Sequence, residues 1–416
     1  MHRKIRTPLW VARLVTFFAI IGPGLITASA DNDAPGIATY SMAGSRYGYG
    51  FLWVIVLITI GELVIQEMAA RMGAVTGKGT ADLIRERFGV KTTTFAMFCL
   101  LLANLGTTIA EFAGIAAAGE LFGISRFLTV PLAGLLITLL VLKGGYNKVE
   151  KVMLVLCLSA LAYVATVFII KPNWGEIVQA ALVPHLEFNR EYILAILAVI
   201  GTTITPWGIF YLQASVADKG VDMDKYGHTK LDVAFGAGWG NIISAFIIIT
   251  TAATLFTRGI LVTNATEAAI ALEPLAGSAS RILFAVGLLG ASLLSISVLP
   301  LATTYAMCEA FGFERGLNRP VKEAPAFYST FSIITILSIF SILFVPSKSL
   351  FPFMLYSQSL NGVLLPILLV LVLFLANNKS IMGKWKNKTY QNVLAVGMTV
   401  LIFGITIVLF AEPFLR

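Results

Sequence analysis

Apolar stretches long enough to cross a bilayer, about 20 residues each, alternate along this chain with short polar connections. They fall at 14–45, 50–73, 94–122, 127–143, 150–171, 190–216, 231–257, 281–311, 325–346, 350–376 and 390–411, a pattern that predicts eleven transmembrane helices and no inserted soluble domain. Two of these stretches contradict themselves. In the first, Gly22 to Thr39 reads GPGLITASADNDAPGIAT, so Asp31, Asn32 and Asp33, followed by Ala34, Pro35 and Gly36, sit at mid-span depth. A spanning helix satisfies its polar backbone internally. Freed carbonyls and carboxylates persist in hydrocarbon only where protein, water or a bound ion faces them. The break is therefore expected to form the core of a cation site. Its rival is a signal peptide, with Leu14 to Ala30 as the apolar region and Ala28-Ser29-Ala30 as the cleavage site, although Gly22-Pro23-Gly24 interrupts that region.

The second contradiction is Gly201-Thr202-Thr203-Ile204-Thr205-Pro206-Trp207-Gly208 in the sixth segment. It lies five segments after the first, and an odd offset reverses membrane orientation, as an inverted repeat of two five-helix units requires. The expectation is an all-α integral membrane protein with a first repeat over 14–171, a second over 190–376, and one extra, peripheral helix at 390–411. Paired breaks in corresponding helices point to a transport site.

Composition strengthens this reading. A chain that is 57% hydrophobic and 12% charged is too apolar for a water-soluble domain. The formal charge of +8 suggests an anionic partner at first sight. The basic residues, however, lie almost wholly in connections, where charge governs topology, so no nucleic acid is implied. With the amino terminus cytoplasmic, most Lys and Arg fall inside, among them Arg6, Arg71, Lys78, Arg85, Lys148, Lys219, Arg315 and Lys384. The carboxyl terminus of this multi-pass cell-membrane protein is then outside. Cleavage of the first segment leaves the later topology the same. Cys99, Cys157 and Cys308 lie in apolar segments without paired spacing, which suggests neither disulfides nor zinc. His2, His185 and His228 fall in the tail or in loops. There is no HExxH and no GxSxG elbow, so an enzyme is not expected, and no cofactor is implied. Oligomeric state cannot be read from the chain.

Asp33 is the leading cation ligand, with Asp31 and Asn32 beside it on the same turn. A buried carboxylate costs several kcal/mol unless a cation or hydrogen bonds compensate. The alternative is that one aspartate caps a second half-helix starting near Ile37, and Asp33 is well placed for that. On the sixth segment Thr202 and Thr205 are three apart and share a helical face, and Pro206 has no N–H to give to Thr202. Their oxygens would complete an oxygen-rich shell, which suits Mg²⁺, Mn²⁺ or Ca²⁺. Alternatively both hydroxyls bond back to their own helix. Glu62 and Glu111 lie deep and are candidates for a proton or ion route, whereas Glu67 is placed to pair with Arg71 four residues on. Gln358 and Asn361 share a face of the tenth segment and offer amide oxygens, the alternative being helix-to-helix hydrogen bonds.

These residues resemble the Nramp family of divalent metal transporters from about Gly22 to Pro366. The most specific matches are Gly22-Pro23-Gly24, Asp33, Ala38-Thr39, Gly48-Tyr49, Gln66 and the run AARMGAVTGK from Ala69 to Lys78. Further matches are Arg85-Glu86-Arg87, Ala110-Glu111, the Thr202 to Pro206 break with Tyr211-Leu212 and Ser215, Ser357-Gln358 and Leu365-Pro366. The resemblance implies a LeuT-like fold and uptake of metal from outside, usually with protons. Departures accompany it. The aspartate of the family's DPGN motif falls on Asp33, but Ala34, Pro35 and Gly36 stand where Pro, Gly and a ligand Asn are expected. In the MPH motif Thr205 replaces the methionine ligand and Trp207 the histidine, while Thr202 replaces a small alanine. Glu111 matches a proton-pathway glutamate, but Thr108 stands where an aspartate is usual. The pattern is similar to Nramp-related magnesium transporters, which also lose the methionine. Loss of the thioether weakens discrimination against hard ions. Loss of the histidine and one carboxylate removes proton stations that Glu62 and Asp31 would have to replace.

The resulting expectation is a secondary transporter importing Mn²⁺ or Mg²⁺ by alternating access. Asp33, Asp31, Thr202, Thr205 and Gln358 would serve as metal ligands, with Glu111 and Glu62 on the proton or ion route. The alternative keeps the fold and changes the cargo to a small organic solute coupled to Na⁺ or H⁺. The Asp31 and Asp33 pair disfavours an anion but tolerates an amine.

Overall fold

Apolar segments pack as helices because only a helix satisfies a lone spanning backbone, and all regular structure among the described residues is helical. The computed structural model describes residues 32–143, 158–224, 226–317 and 319–415. Asp31, the Gly22-Pro23-Gly24 turn and the signal-peptide alternative lie outside them.

The helices that matter here are α1 (Ala34–Tyr47), α2 (Leu52–Thr76), α3 (Thr80–Leu121), α4 (Arg126–Lys143), α5 (Leu161–Ile170) and α6 (Trp174–Leu182). They continue with α7 (Arg190–Thr203), α8 (Pro206–Asp218), α9 (Tyr226–Thr254), α10 (Ser280–Phe311), α11 (Pro325–Leu343), α12 (Leu350–Asn377) and α13 (Thr389–Leu415). Each expected segment within the described residues is occupied by helix. Among the described residues eight spans are long and apolar enough to cross a membrane, and Arg126–Leu142 and Leu158–Ile170 are shorter apolar helices. The molecule is thus a multi-pass membrane protein.

Two boundaries differ from expectation. Helix α3 begins well before residue 94 because Gly89, at φ 74° and ψ 178°, joins an amphipathic first stretch to the spanning one. A left-handed φ with extended ψ is tolerated there only because glycine has no Cβ. His228, expected in a loop, lies exposed in the first turn of α9.

The arrangement is inside-out with respect to a soluble protein. Phe95, Leu132, Phe340, Phe374, Val400 and Phe410 are exposed, while Asp33, Glu62, Glu111, Thr202, Gln358 and Asn361 are buried. Enclosure varies sharply along the chain. The broken span Arg190–Asp218 has 94% of its apolar window buried, against 33% for Thr389–Glu412, so the broken helix occupies the centre and the last helix the rim. Around that centre α3 lies along α10 and α12, α7 lies along α12, and α9 lies along α1 and α2.

Candidate cation site

Two helix starts form the heart of the site, and they are built alike. Asp33 is extended, at φ −72° and ψ 177°, and its Oδ1 accepts from Gly36 N at 2.6 Å as the cap of α1. Thr205 is extended, at φ −78° and ψ 135°, and its Oγ1 accepts from Gly208 N at 3.3 Å as the cap of α8. In each, a proline follows in the first turn and the capped amide belongs to a glycine three residues on. Proline at a helix start sacrifices a donor that has no partner anyway, so both sequences start a helix rather than continue one. The second break is therefore real: α7 ends at Thr203, Ile204 leaves helical geometry at φ −99° and ψ 78°, and α8 begins at Pro206.

The capping alternative for Asp33 is correct for only one of its oxygens. The side chain is buried, and beyond the cap it meets the Glu111 carboxyl of α3, with which it shares a side-chain hydrogen bond. Two carboxyls at this depth repel unless a cation lies between them or one holds a proton. Thr202 is fully buried and its Oγ1 makes no hydrogen bond among the described residues. It does not take the back-bonded state that Thr203 takes with Val199 O at 2.7 Å. Tyr40 Oη and Thr203 Oγ1, 2.8 Å apart, join α1 to α7 at this level.

The neighbouring helices add neutral oxygens. Gln358 and Asn361 form a polar ladder on α12: Gln358 Nε2 donates to Ser357 Oγ at 3.2 Å, and Asn361 Nδ2 donates to Gln358 Oε1 at 2.9 Å and to Thr107 Oγ1 at 2.8 Å. Helix-to-helix bonding thus holds for Asn361, while the Gln358 amide is engaged within its own helix on both sides. Thr108, where the resemblance expects an aspartate, donates to Asn104 O at 2.7 Å. Among the described residues no three His, Cys, Asp or Glu side chains cluster as a metal site. The constellation is two carboxyls plus hydroxyl and amide oxygens, a hard donor set.

Glu62 stands apart from Asp33 but is connected to its neighbour. Its carboxylate accepts from Gln66 Nε2 and Asn241 Nδ2, both at 2.5 Å. One turn along α9 from Asn241, Ser244 Oγ donates to Asn32 Oδ1 at 3.2 Å, and Asn32 Nδ2 donates to Gly240 O at 3.2 Å. Glu67 pairs with Arg71 at 3.0 Å as its spacing foretells. Tyr226 Oη and Gln391 Nε2 also reach it, at 2.8 and 2.7 Å, so it is held in a structural knot.

Sequence reasoning passed over Glu309, Asn241 and Thr107. Glu309 is buried in α10, 3.3 Å from Arg315, and with Asp218 and Tyr305 it lines a cavity of about 270 Å³ between α8 and α10. The criterion that singled out Glu62, an acid inside an apolar segment, applies to Glu309 equally. Asn241 and Thr107 carry no such signal, since only the packing shows what they face.

A family profile described as "Natural resistance-associated macrophage protein-like" matches residues 24–412. The chain is 33% identical over 290 residues to the divalent metal cation transporter MntH of Erwinia tasmaniensis, covering 68% of this chain and 70% of that one. It is 28% identical to MntH of Yersinia enterocolitica, covering 97% of each. Among solved structures, the Eremococcus coleocola manganese transporter superposes with a TM-score of 0.76 at 22% identity, over 98% of this chain and 88% of that one. MhsT in complex with L-phenylalanine superposes with a TM-score of 0.61 at 16% identity, over 93% and 97%. Both share the LeuT-like fold of this chain, so the fold leaves the cargo to be decided by the atoms of the site.

Proposed function

Because the chain belongs to the Nramp family, we propose that it is a secondary transporter importing a divalent cation, Mn²⁺ or Mg²⁺, across the cell membrane. One observation carries the reading: the carboxyls of Asp33 and Glu111 meet in the buried interior at the start of α1, and Thr202 Oγ1, beside the second helix break, is a buried oxygen without a hydrogen bond among the described residues. A dipositive ion between Asp33 and Glu111 removes their mutual repulsion. Thr202 and Thr205 then add neutral oxygens from the second break, with the α12 amides beside them. The names of the MntH relatives support the cargo class. The amino terminus is cytoplasmic and the carboxyl terminus outside, in agreement with the bias of Lys and Arg. One five-helix unit rocks against the other, exposing the site alternately to each side.

Proton coupling needs titratable stations. With Thr108 and Trp207 at two of the family's positions, Glu111 and Glu62 are left to serve it, Glu62 through Asn241 and α9. The two carboxyls disfavour an anionic organic solute. The test is uptake of Mn²⁺, Mg²⁺, Ca²⁺ and Cd²⁺ into proteoliposomes with internal pH recorded at the same time. Mn²⁺ or Mg²⁺ flux above protein-free liposomes is expected, and its absence refutes the assignment.

A further inference from the structure

We propose that Asn361 is a ligand of the transported cation, donating a neutral amide oxygen from α12, and that Gln358 serves to aim it. This deepens the divalent-cation reading and rests on it. An amide's oxygen and nitrogen are told apart by what surrounds them, and here the surroundings decide. Thr107 Oγ1 donates its proton to Ala103 O at 3.2 Å, so toward Asn361 it can only accept. Ser357 Oγ donates to Met354 O at 2.7 Å, so it can only accept from Gln358 Nε2. That leaves Gln358 Oε1 facing Asn361, which must answer with Nδ2. Both hydrogens of Asn361 Nδ2 are thereby committed, one to Thr107 Oγ1 and one to Gln358 Oε1. The one acceptor left over is Asn361 Oδ1, which is buried without a hydrogen bond among the described residues on a side chain only 1% exposed.

Its position suits the role. Asn361 lies against α7 at Gly201, where an added Cβ would stand 3.0 Å from Asn361 Cβ, and the next residue is Thr202, whose Oγ1 is also without a hydrogen bond. Its other partner, Thr107, is one helical turn, about 6 Å, from Glu111 on the same face of α3, and Glu111 stands beside Asp33. Asn361 thus lies between α7 at the second break and the face of α3 that carries Glu111. A neutral oxygen completes the shell of a hard dication without adding charge to the two carboxyls. Gln358, with its oxygen already accepting from Asn361, is a positioning residue.

The experiment measures Mn²⁺, Mg²⁺ and Cd²⁺ binding to the purified full chain by calorimetry, for the wild type, Asn361→Leu and Asn361→Met, with thermal unfolding of each as a check on folding. Asn361→Leu is expected to raise the Mn²⁺ Kd about ten-fold or more. Asn361→Met places a thioether where the oxygen was, and is expected to shift the Cd²⁺ to Mn²⁺ affinity ratio about ten-fold toward the softer ion. The ratio is readable even where Asn361→Leu fails to fold. Wild-type Mn²⁺ affinity in folded Asn361→Leu overturns the proposal, and so does weakened binding in Asn361→Met with an unchanged ratio, which assigns a purely structural role. A wild-type chain that binds no divalent cation overturns the divalent reading itself.

Discussion

Replacing Asp33 by Asn separates the two duties of this side chain. Asn is as good a helix cap as Asp, so an oxygen in the place of Oδ1 continues to accept from Gly36 N and α1 keeps its start. What is lost is a full negative charge at a fully enclosed position. Two unit charges 4 Å apart interact by about 4 kcal/mol at an effective dielectric of 20, and removing one partner of a buried charge pair costs about 3–5 kcal/mol. At 1.4 kcal/mol per decade, Asp33→Asn is expected to raise the Mn²⁺ Kd at least a hundred-fold while thermal stability without metal stays close to wild type. Asp33→Ala should lose the same affinity and in addition about 1 kcal/mol of stability with the cap. Calorimetric Kd values and unfolding curves recorded without metal distinguish the two effects. Near-wild-type Mn²⁺ affinity in Asp33→Asn would refute the argument that this carboxylate exists to hold the ion.

Other perturbations probe the rest of the framework. Thr202→Val removes a hydroxyl that makes no hydrogen bond among the described residues, so stability should hold while cation affinity falls several-fold; a lower unfolding temperature with unchanged affinity would mean the hydroxyl is structural. At Gly201 an added Cβ would overlap Gln358 O and Gly362 N of α12. Gly201→Ala should therefore cost about 1–3 kcal/mol and slow transport, whereas wild-type flux would show that α7 and α12 need not approach so closely. Arg71→Ala strands Glu67 among Tyr226 and Gln391, and should destabilise the fold by about 3–5 kcal/mol without changing ion selectivity, as unfolding curves and competition uptake would show.

Fold class, the helix start at Asp33 and the helix break before Pro206 were legible in the chain because each rests on a local rule. Hydrocarbon demands helices, proline refuses a mid-helix position, and Asp or Thr followed by Pro and Gly starts a new helix. Those rules need no knowledge of neighbours, and they placed Asp33, Thr202 and Thr205 together with the buried acids Glu62 and Glu111. They also placed Glu67 with Arg71, since an i,i+4 pair lies within one helix. Tertiary structure decided what each of these atoms faces. Only the packing of α3 against α1 brings Glu111 beside Asp33, only α9 ties Glu62 to Asn32, and only the ladder from Thr107 to Ser357 turns the Asn361 oxygen rather than that of Gln358 free of its helix. The physical reason is range. Caps and breaks are settled by a few residues of backbone, whereas the direction of a buried amide or carboxyl is settled by donors hundreds of residues away in the chain.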